Sequence, residues 1–278
     1  MAHDVTSGGA GPSWNEVVVD EVLRRWMLGR SRPEKIHVGT LFLSLGVKFR
    51  FRQAVAPRRP RGKFMLGRLG KLKVATLRVA PGTLQLEAAL AVAARTDIKN
   101  VFAFGTVSAL DPALKIGEIV LAAGAIPGEG LSAYYDGPTP AGPDPALMDH
   151  VRRAAAGPLA AKEGVVYTTA SLARIDDEFI KARKAQGAVG VDTAASALYR
   201  VAPHYGLAAV AALVVSDNPA TGELCLTSKA LMTRYERGVQ RAFALLGAAA
   251  RSAAPPEEER PRRRGLGLRR GRERNDRR

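Results

Sequence analysis

The sequence predicts one α/β domain, a three-layer α/β/α sandwich on a central mixed sheet, and three observations carry that reading. Between residues 74 and 250, apolar runs of strand length alternate with longer segments whose apolar residues recur at helical spacing. Several of these runs end in small-residue turns, such as Gly105-Thr106-Val107-Ser108 and Ser216-Asp217-Asn218-Pro219. Strands of an open α/β sheet present ligand pockets through such turns at their C-terminal ends. Only 6% of residues are aromatic against 46% hydrophobic, so the core must be built from Ala, Val and Leu.

The elements follow in order. Ser13-Trp14-Asn15-Glu16 has the spacing of a capping box, and the helix it opens runs to residue 28 and stops at Gly29. Residues 36–55 alternate between apolar and basic, with Phe49 and Phe51 set between Lys48, Arg50 and Arg52, which predicts a strand with one basic face. APRRPRGK, 56–63, reads as a loop by its prolines and charge. Residues 63–80 read as a hairpin tightened at Gly67-Arg68-Leu69-Gly70, and Pro81-Gly82-Thr83 ends it and opens a helix over 84–94. Strands are expected at 100–105, 118–123, 164–169, 187–191 and 207–215. Helices are expected at 146–156, 176–185, 193–202 and 228–250, the last with Leu231, Tyr235, Val239, Phe243 and Leu246 on one face. Beyond residue 253, Pro-Pro, Glu-Glu-Glu and Arg clusters leave nothing to bury, so a disordered tail is expected. The expected organisation is a basic N-terminal extension over 1–62, the α/β domain over 63–250 and an Arg-rich tail over 251–278.

The net charge of +16 is concentrated. Residues 22–73 carry fifteen Lys and Arg against Glu34 alone, and 260–278 carry ten Arg against Glu273 and Asp276, while the α/β body is near neutral. Two basic segments suggest contact with a polyanion, and Phe49, Phe51 and Phe64 among cations suggest stacking on nucleic-acid bases. A single cysteine, Cys225, excludes a disulfide framework and a thiolate zinc site. His37, His150 and His204 show no metal spacing, so no metal is expected. The opening MAHDVTSGGAGPSW lacks a basic segment followed by an apolar one, and the longest apolar run, 207–215, is too short to cross a membrane. A cytoplasmic protein is expected.

Three motifs carry chemistry. They are FGTVSALDPALKIGEIVLAAGAI, GAVGVDTAASALYRVAPHYG and ALVVSDNP. In this order and at these separations they resemble the Gly-Thr turn and following strand, the helix start and the strand-end Val-Ser-Asp of the purine and uridine phosphorylase superfamily, over roughly residues 63–248. The resemblance implies binding, and cleavage at the N-glycosidic bond, of a purine nucleoside or related compound. Phosphate would be the co-substrate, with no other cofactor, and a homo-oligomer would be the assembly. It implies that Asp217 is the acid toward the leaving base, although an Asp before Asn218-Pro219 also turns the chain. It implies phosphate contacts from Gly82 and Thr83 at a helix start and from Gly105 and Thr106 in the turn. Nucleoside contacts would come from Tyr134, Thr169, Ser171, Asp192, Thr193 and Ser216.

Two positions depart from the family pattern. Ala103 stands where the family has its phosphate-binding Arg, and Thr193-Ala194 where it has the ribose-binding Met-Glu. Arg50, Arg52, Arg78 and Arg174 are the candidate replacement cations. Two alternatives therefore stand beside cleavage: a member that has lost catalysis and kept a sensing or structural role, and a basic nucleic-acid-binding protein on the same scaffold.

Overall fold

A computed structural model of the chain describes residues 13–47, 49 and 51–254, without the side chains of 52, 53 and 57. It opens on a continuous helical stretch of α1 (Trp14–Val17), a π-helical segment (Val18–Leu23) and α2 (Arg24–Leu28). The Glu16 carboxylate accepts from the Ser13 amide at 2.8 Å, as the capping-box spacing implies. Then come β1 (Thr40–Leu45), α3 (Phe51–Ala54), β2 (Ala56–Arg61), β3 (Phe64–Leu69), β4 (Leu72–Val79) and α4 (Leu84–Ala93). β5 (Asn100–Ala109), β6 (Ile119–Gly128), α5 (Pro145–Ala154), β7 (Lys162–Thr169), α6 (Asp177–Ala185), β8 (Ala188–Asp192) and α7 (Ala195–His204) follow. β9 (Ala208–Asn218), β10 (Glu223–Leu224) and α8 (Lys229–Ala253) complete the described chain.

The sheet is mixed and runs β10-β9-β6-β7-β8-β5-β1-β4-β3-β2, with β9 also paired to β5. β5 lies parallel to β1 and β9, and its last residues, Ser108 and Ala109, pair antiparallel with Val191 and Gly190 of β8. The strands β5, β9, β6, β7 and β8 thus close into a ring inside the larger sheet. Gly190 permits the closure, because a Cβ there would sit 2.4 Å from Val107 Cγ2 and 3.0 Å from the Ser108 carbonyl.

Alternate strand residues feed two apolar layers. Leu41, Leu43, Val101, Ala103, Ala211 and Leu213 join one cluster with α4 and α7. Phe42, Phe102, Phe104, Val210 and Ala212 join the other with α5 and α8. This is the expected three-layer order.

The N-terminal third differs from the sequence expectation. The single basic-faced strand over 36–55 is instead β1 followed by α3, and β1 is buried along its whole length between β4 and β5. Phe49 and Phe51 pack edge-on to each other and against Phe104 and Phe243, and Phe64 is fully buried. Burial among apolar neighbours outweighs the flanking charge: Phe49 and Phe64 are buried and Phe51 is half-buried against the same cluster as Phe49, so the rings serve the core. The expected loop over 56–63 is largely β2, whose prolines are tolerated because it pairs only with β3 at the sheet edge. The hairpin turns at Gly70-Lys71, with Leu69 opposite Leu72, and Gly70 supplies the φ of +63° it needs. A border at 62/63 would cut this one sheet, since β1 lies inside it, and α8 passes the expected border at 250/251. The tail beyond 254 lies outside the described residues. No helix among the described residues is long and apolar enough to cross a membrane.

Candidate functional site

The strand ends converge on β5. β9 carries a bulge that skips Ser216, so that Val107 pairs with Val215 and Ser108 with Asp217. The Ser108 hydroxyl donates to Asp217 Oδ2, and the Ser216 hydroxyl donates to Oδ1 at 2.6 Å. The half-buried Asp217 carboxylate is therefore oriented by two hydroxyls from adjacent strands. Asn218, fully buried, anchors the end of β9 by donating to the Asp111 and Leu114 carbonyls, both at 2.9 Å. The Asp217 charge and burial together push the Cys225 thiol up, burial being the larger cause.

On the other side of β5, β8 delivers Asp192 to the start of α7. Asp192 is 3% exposed, and both its oxygens are occupied. Oδ1 accepts from the Thr168 hydroxyl at 2.6 Å, and Oδ2 from the Ala194 and Ala195 amides at 2.8 and 2.7 Å. Burial pushes its pKa up to about 6, opposed by these hydrogen bonds and aided by the nearby Glu129 charge. Asp192 thus satisfies the first amides of α7 through Oδ2, and only Oδ1, which accepts from Thr168 alone, keeps acceptor capacity for the nucleoside contact expected of it.

A second carboxylate reaches this helix start. Glu129, between Gly128 and Gly130, accepts from the Ser196 hydroxyl at 2.6 Å and from the Ser132 hydroxyl through Oε1, and from the Ser132 amide at 3.1 Å through Oε2. Sequence reasoning missed Glu129 and Ser196. The local signal was a carboxylate flanked by two glycines, with a serine two residues beyond Ala194. Because Ser108 pairs with both Val191 of β8 and Asp217 of β9, the Asp217 and Asp192 clusters flank one strand end. They stand about two strand spacings, roughly 10 Å, apart.

The expected phosphate positions lie on the same edge of the sheet. Gly82, with φ of +99°, and Thr83 precede α4, where Thr83 makes no side-chain cap, and Gly105 and Thr106 lie on β5 across the end of β1. Thr106 is half-buried, while Gly105 serves packing: a Cβ there would meet Leu45 Cβ at 3.1 Å and Leu213 Cδ2 at 3.3 Å. Ala103 and Ala194 are 0% and 2% exposed, so the positions where the family pattern has Arg and Glu are part of the core. Arg78 is exposed near the end of β4, paired in register with Ser44, and Arg174 is exposed on the turn Leu172–Arg174 after β7. Arg50 and the Arg52 side chain lie outside the described residues.

Other expected nucleoside contacts are less well placed. Tyr134 is 85% exposed and covers nothing. Tyr135 instead donates to Glu87 and stacks edge-on with His204, and burial together with Glu87 raises its pKa. The Thr169 hydroxyl is engaged with the Ser171 backbone at 3.2 and 3.3 Å in a local turn. Thr193 lies half-buried between β8 and α7.

The fold that carries these strand ends has known counterparts. A family model described as the phosphorylase superfamily matches residues 45–251. No curated protein sequence matches the chain. Among solved structures, uridine phosphorylase from Vibrio fischeri ES114, complexed with 6-hydroxy-1-naphthoic acid, aligns with a TM-score of 0.68 at 17% identity, covering 80% of this chain and 97% of that one. Purine nucleoside phosphorylase from Toxoplasma gondii, in complex with immucillin-H, aligns with a TM-score of 0.65 at 16% identity, covering 80% of this chain and 94% of that one. At such identities the likeness to solved structures is one of fold, and the family model carries the membership. The chain belongs to the phosphorylase superfamily, as its three motifs imply.

Proposed function

We propose that the protein binds a purine nucleoside and cleaves its N-glycosidic bond, with Asp217 as the acid. The observation that carries this reading is the Asp217 carboxyl, held by Ser108 and Ser216 at the open end of β9. A purine anion is a poor leaving group, so Asp217 enters the step protonated and passes its proton to the base ring as the bond pair departs to the base. This leaves the carboxylate that the Ser108 and Ser216 hydroxyls hold. Phosphate, or water, forms the new bond at the sugar carbon, giving free base and a pentose phosphate or pentose. Thr106 and the backbone amides at Gly82 and Thr83 are assigned to the phosphate, and Glu129 to the sugar hydroxyls in place of the carboxylate that Ala194 lacks.

The phosphate cradle as described contains no arginine at position 103. The reading therefore includes a homo-oligomer in which a cation from Arg78 or from a neighbouring copy faces the phosphate.

The test is release of free base from a panel of purine and pyrimidine nucleosides, with and without phosphate, by wild type and by Asp217→Asn. Purine release by wild type that the variant loses supports the reading. Equal release by both overturns the role of Asp217, and no release from any nucleoside overturns cleavage. A second reading, nucleoside binding without turnover, is favoured by the buried Ala103 and Ala194. It predicts calorimetric binding with no base released.

A further inference from the structure

A cavity of about 760 Å³ opens at the opposite end of the sheet, beside the N-terminal ends of β1, β4 and β5. Thr40, Leu72 and Asn100, the first residues of those strands, line it. Six residues of β1 separate it from the Gly82 and Gly105 edge, about 17–20 Å. It therefore shares no residue with the strand-end site.

Among the described residues its charged lining is cationic apart from His37. Lys71, Lys73 and Lys99 surround it, and Arg251 reaches it from the last turn of α8. Among the described residues no carboxylate lines it and none of the four cations makes an ion pair. The nearest acid by sequence, Asp97, pairs with His37 at 3.0 Å. Between the cations the wall is apolar, formed by Val38, Leu72 and Ala254. Unpaired like charges held around a concave surface repel one another, and an anion relieves that repulsion. The apolar wall adds burial for a flat hydrocarbon body, which a bare inorganic ion would not use.

We propose that this cavity is a second binding site, for a small organic phosphate whose phosphate group meets Lys71, Lys73 and Lys99 and whose apolar body lies on Val38 and Leu72. Part of the charge of the basic segment 22–73 thereby gains a role that neither the strand-end site nor base stacking gives it. The concave shape selects a small molecule over a nucleic-acid duplex.

The probe is 1-naphthyl phosphate, titrated into the full chain by calorimetry, with 1-naphthol and inorganic phosphate as the two halves of the ligand. One probe should bind per chain, at least tenfold more tightly than either half. Affinity should fall as salt rises from 50 to 500 mM, and the Lys73→Gln/Lys99→Gln variant should lose at least tenfold. Asp217→Asn should bind as wild type does, which separates this cavity from the strand-end site. Absence of binding, equal binding of 1-naphthol, or unchanged affinity in the double lysine variant overturns the proposal. So does displacement of the probe by a duplex oligonucleotide that binds the same lysines more tightly. Both lysines are exposed, so the variant is expected to keep the wild-type melting temperature, and a melting curve checks this.

Discussion

Ser108 and Asp217 are register partners across the β5–β9 pairing, 109 residues apart in sequence, and the hydroxyl of the first donates to the carboxylate of the second. The bulge at Ser216 makes this pairing possible. Without the skipped residue, the side-chain alternation of β9 would place Asp217 on the opposite face of the sheet from its present position. A one-residue irregularity in one strand therefore decides where the Asp217 carboxylate points, and the bulged residue supplies the second hydroxyl.

Removing either hydroxyl should loosen this aim. A hydrogen bond to a charged group contributes about 1.5–3 kcal/mol, so Ser108→Ala is expected to lower kcat for nucleoside cleavage about 10- to 100-fold, with Ser216→Ala at the lower end. The loss should fall on kcat more than on KM, because orientation of the acid matters most in the transition state. Steady-state kinetics of base release checks it, and wild-type kcat in both variants would show that the two hydroxyls do not aim the Asp217 carboxyl.

Glu129 offers a separate test of the sugar side. Its carboxylate is fixed at the start of α7 by Ser132 and Ser196, which leaves acceptor capacity on Oε2 for a hydroxyl. Glu129→Ala is expected to cut kcat/KM for a ribonucleoside about tenfold and to narrow the preference for it over the 2′-deoxy analogue. An unchanged preference would return Glu129 to a purely structural role in its loop.

The elements that frame Asp217 were legible because the signals are local. Apolar runs ending in Gly105-Thr106 and Ser216-Asp217 mark strand ends within a few residues, and β5 and β9 fall there. Ring closure was not legible, because it rests on Ser108 and Ala109 meeting Val191 and Gly190 some eighty residues away. Phe49 and Phe51 were misread for a related reason: alternation with Lys and Arg looks like an exposed basic face until Phe104 and Phe243 arrive to cover it. Asp192 was identified as a site residue from its place in a motif, but only the folded chain shows its Oδ2 taken by the Ala194 and Ala195 amides.

Packing of the closing helix makes a prediction whose sign runs against propensity. Gly238 lies in the interior of α8, where Gly→Ala ordinarily stabilises by about 1 kcal/mol. Here a Cβ would sit 2.4 Å from the Gly117 carbonyl and 2.7 Å from Val214 Cγ1, and the carbonyl is backbone that cannot rotate away. Gly238→Ala is therefore expected to destabilise by about 2–3 kcal/mol net, a fall in Tm of roughly 5–10 °C for a domain of this size. A Tm equal to or above wild type would show that α8 does not rest on the Gly117 turn as closely as described.

Asp192 gives stability a pH dependence that can be isolated. Burial raises its pKa from an ordinary 3.8 to about 6 in the folded chain. Between those values the folded state binds more protons than the unfolded state, so the slope of unfolding free energy with pH is negative there. The contribution of Asp192 is fully present below pH 4, falls as pH rises, and is gone above pH 6, a total of about 3 kcal/mol. Other carboxylates add their own slopes, so the informative quantity is the difference between wild type and Asp192→Asn. An asparagine can still accept from the Ala194 and Ala195 amides but carries no charge to bury. The variant is expected to gain on wild type by up to about 3 kcal/mol between pH 4 and pH 7, read from urea unfolding at each pH. Parallel stability curves for the two proteins across that window would mean that Asp192 ionises in the folded state as readily as in the unfolded chain, and that the α7 amides offset its burial in full.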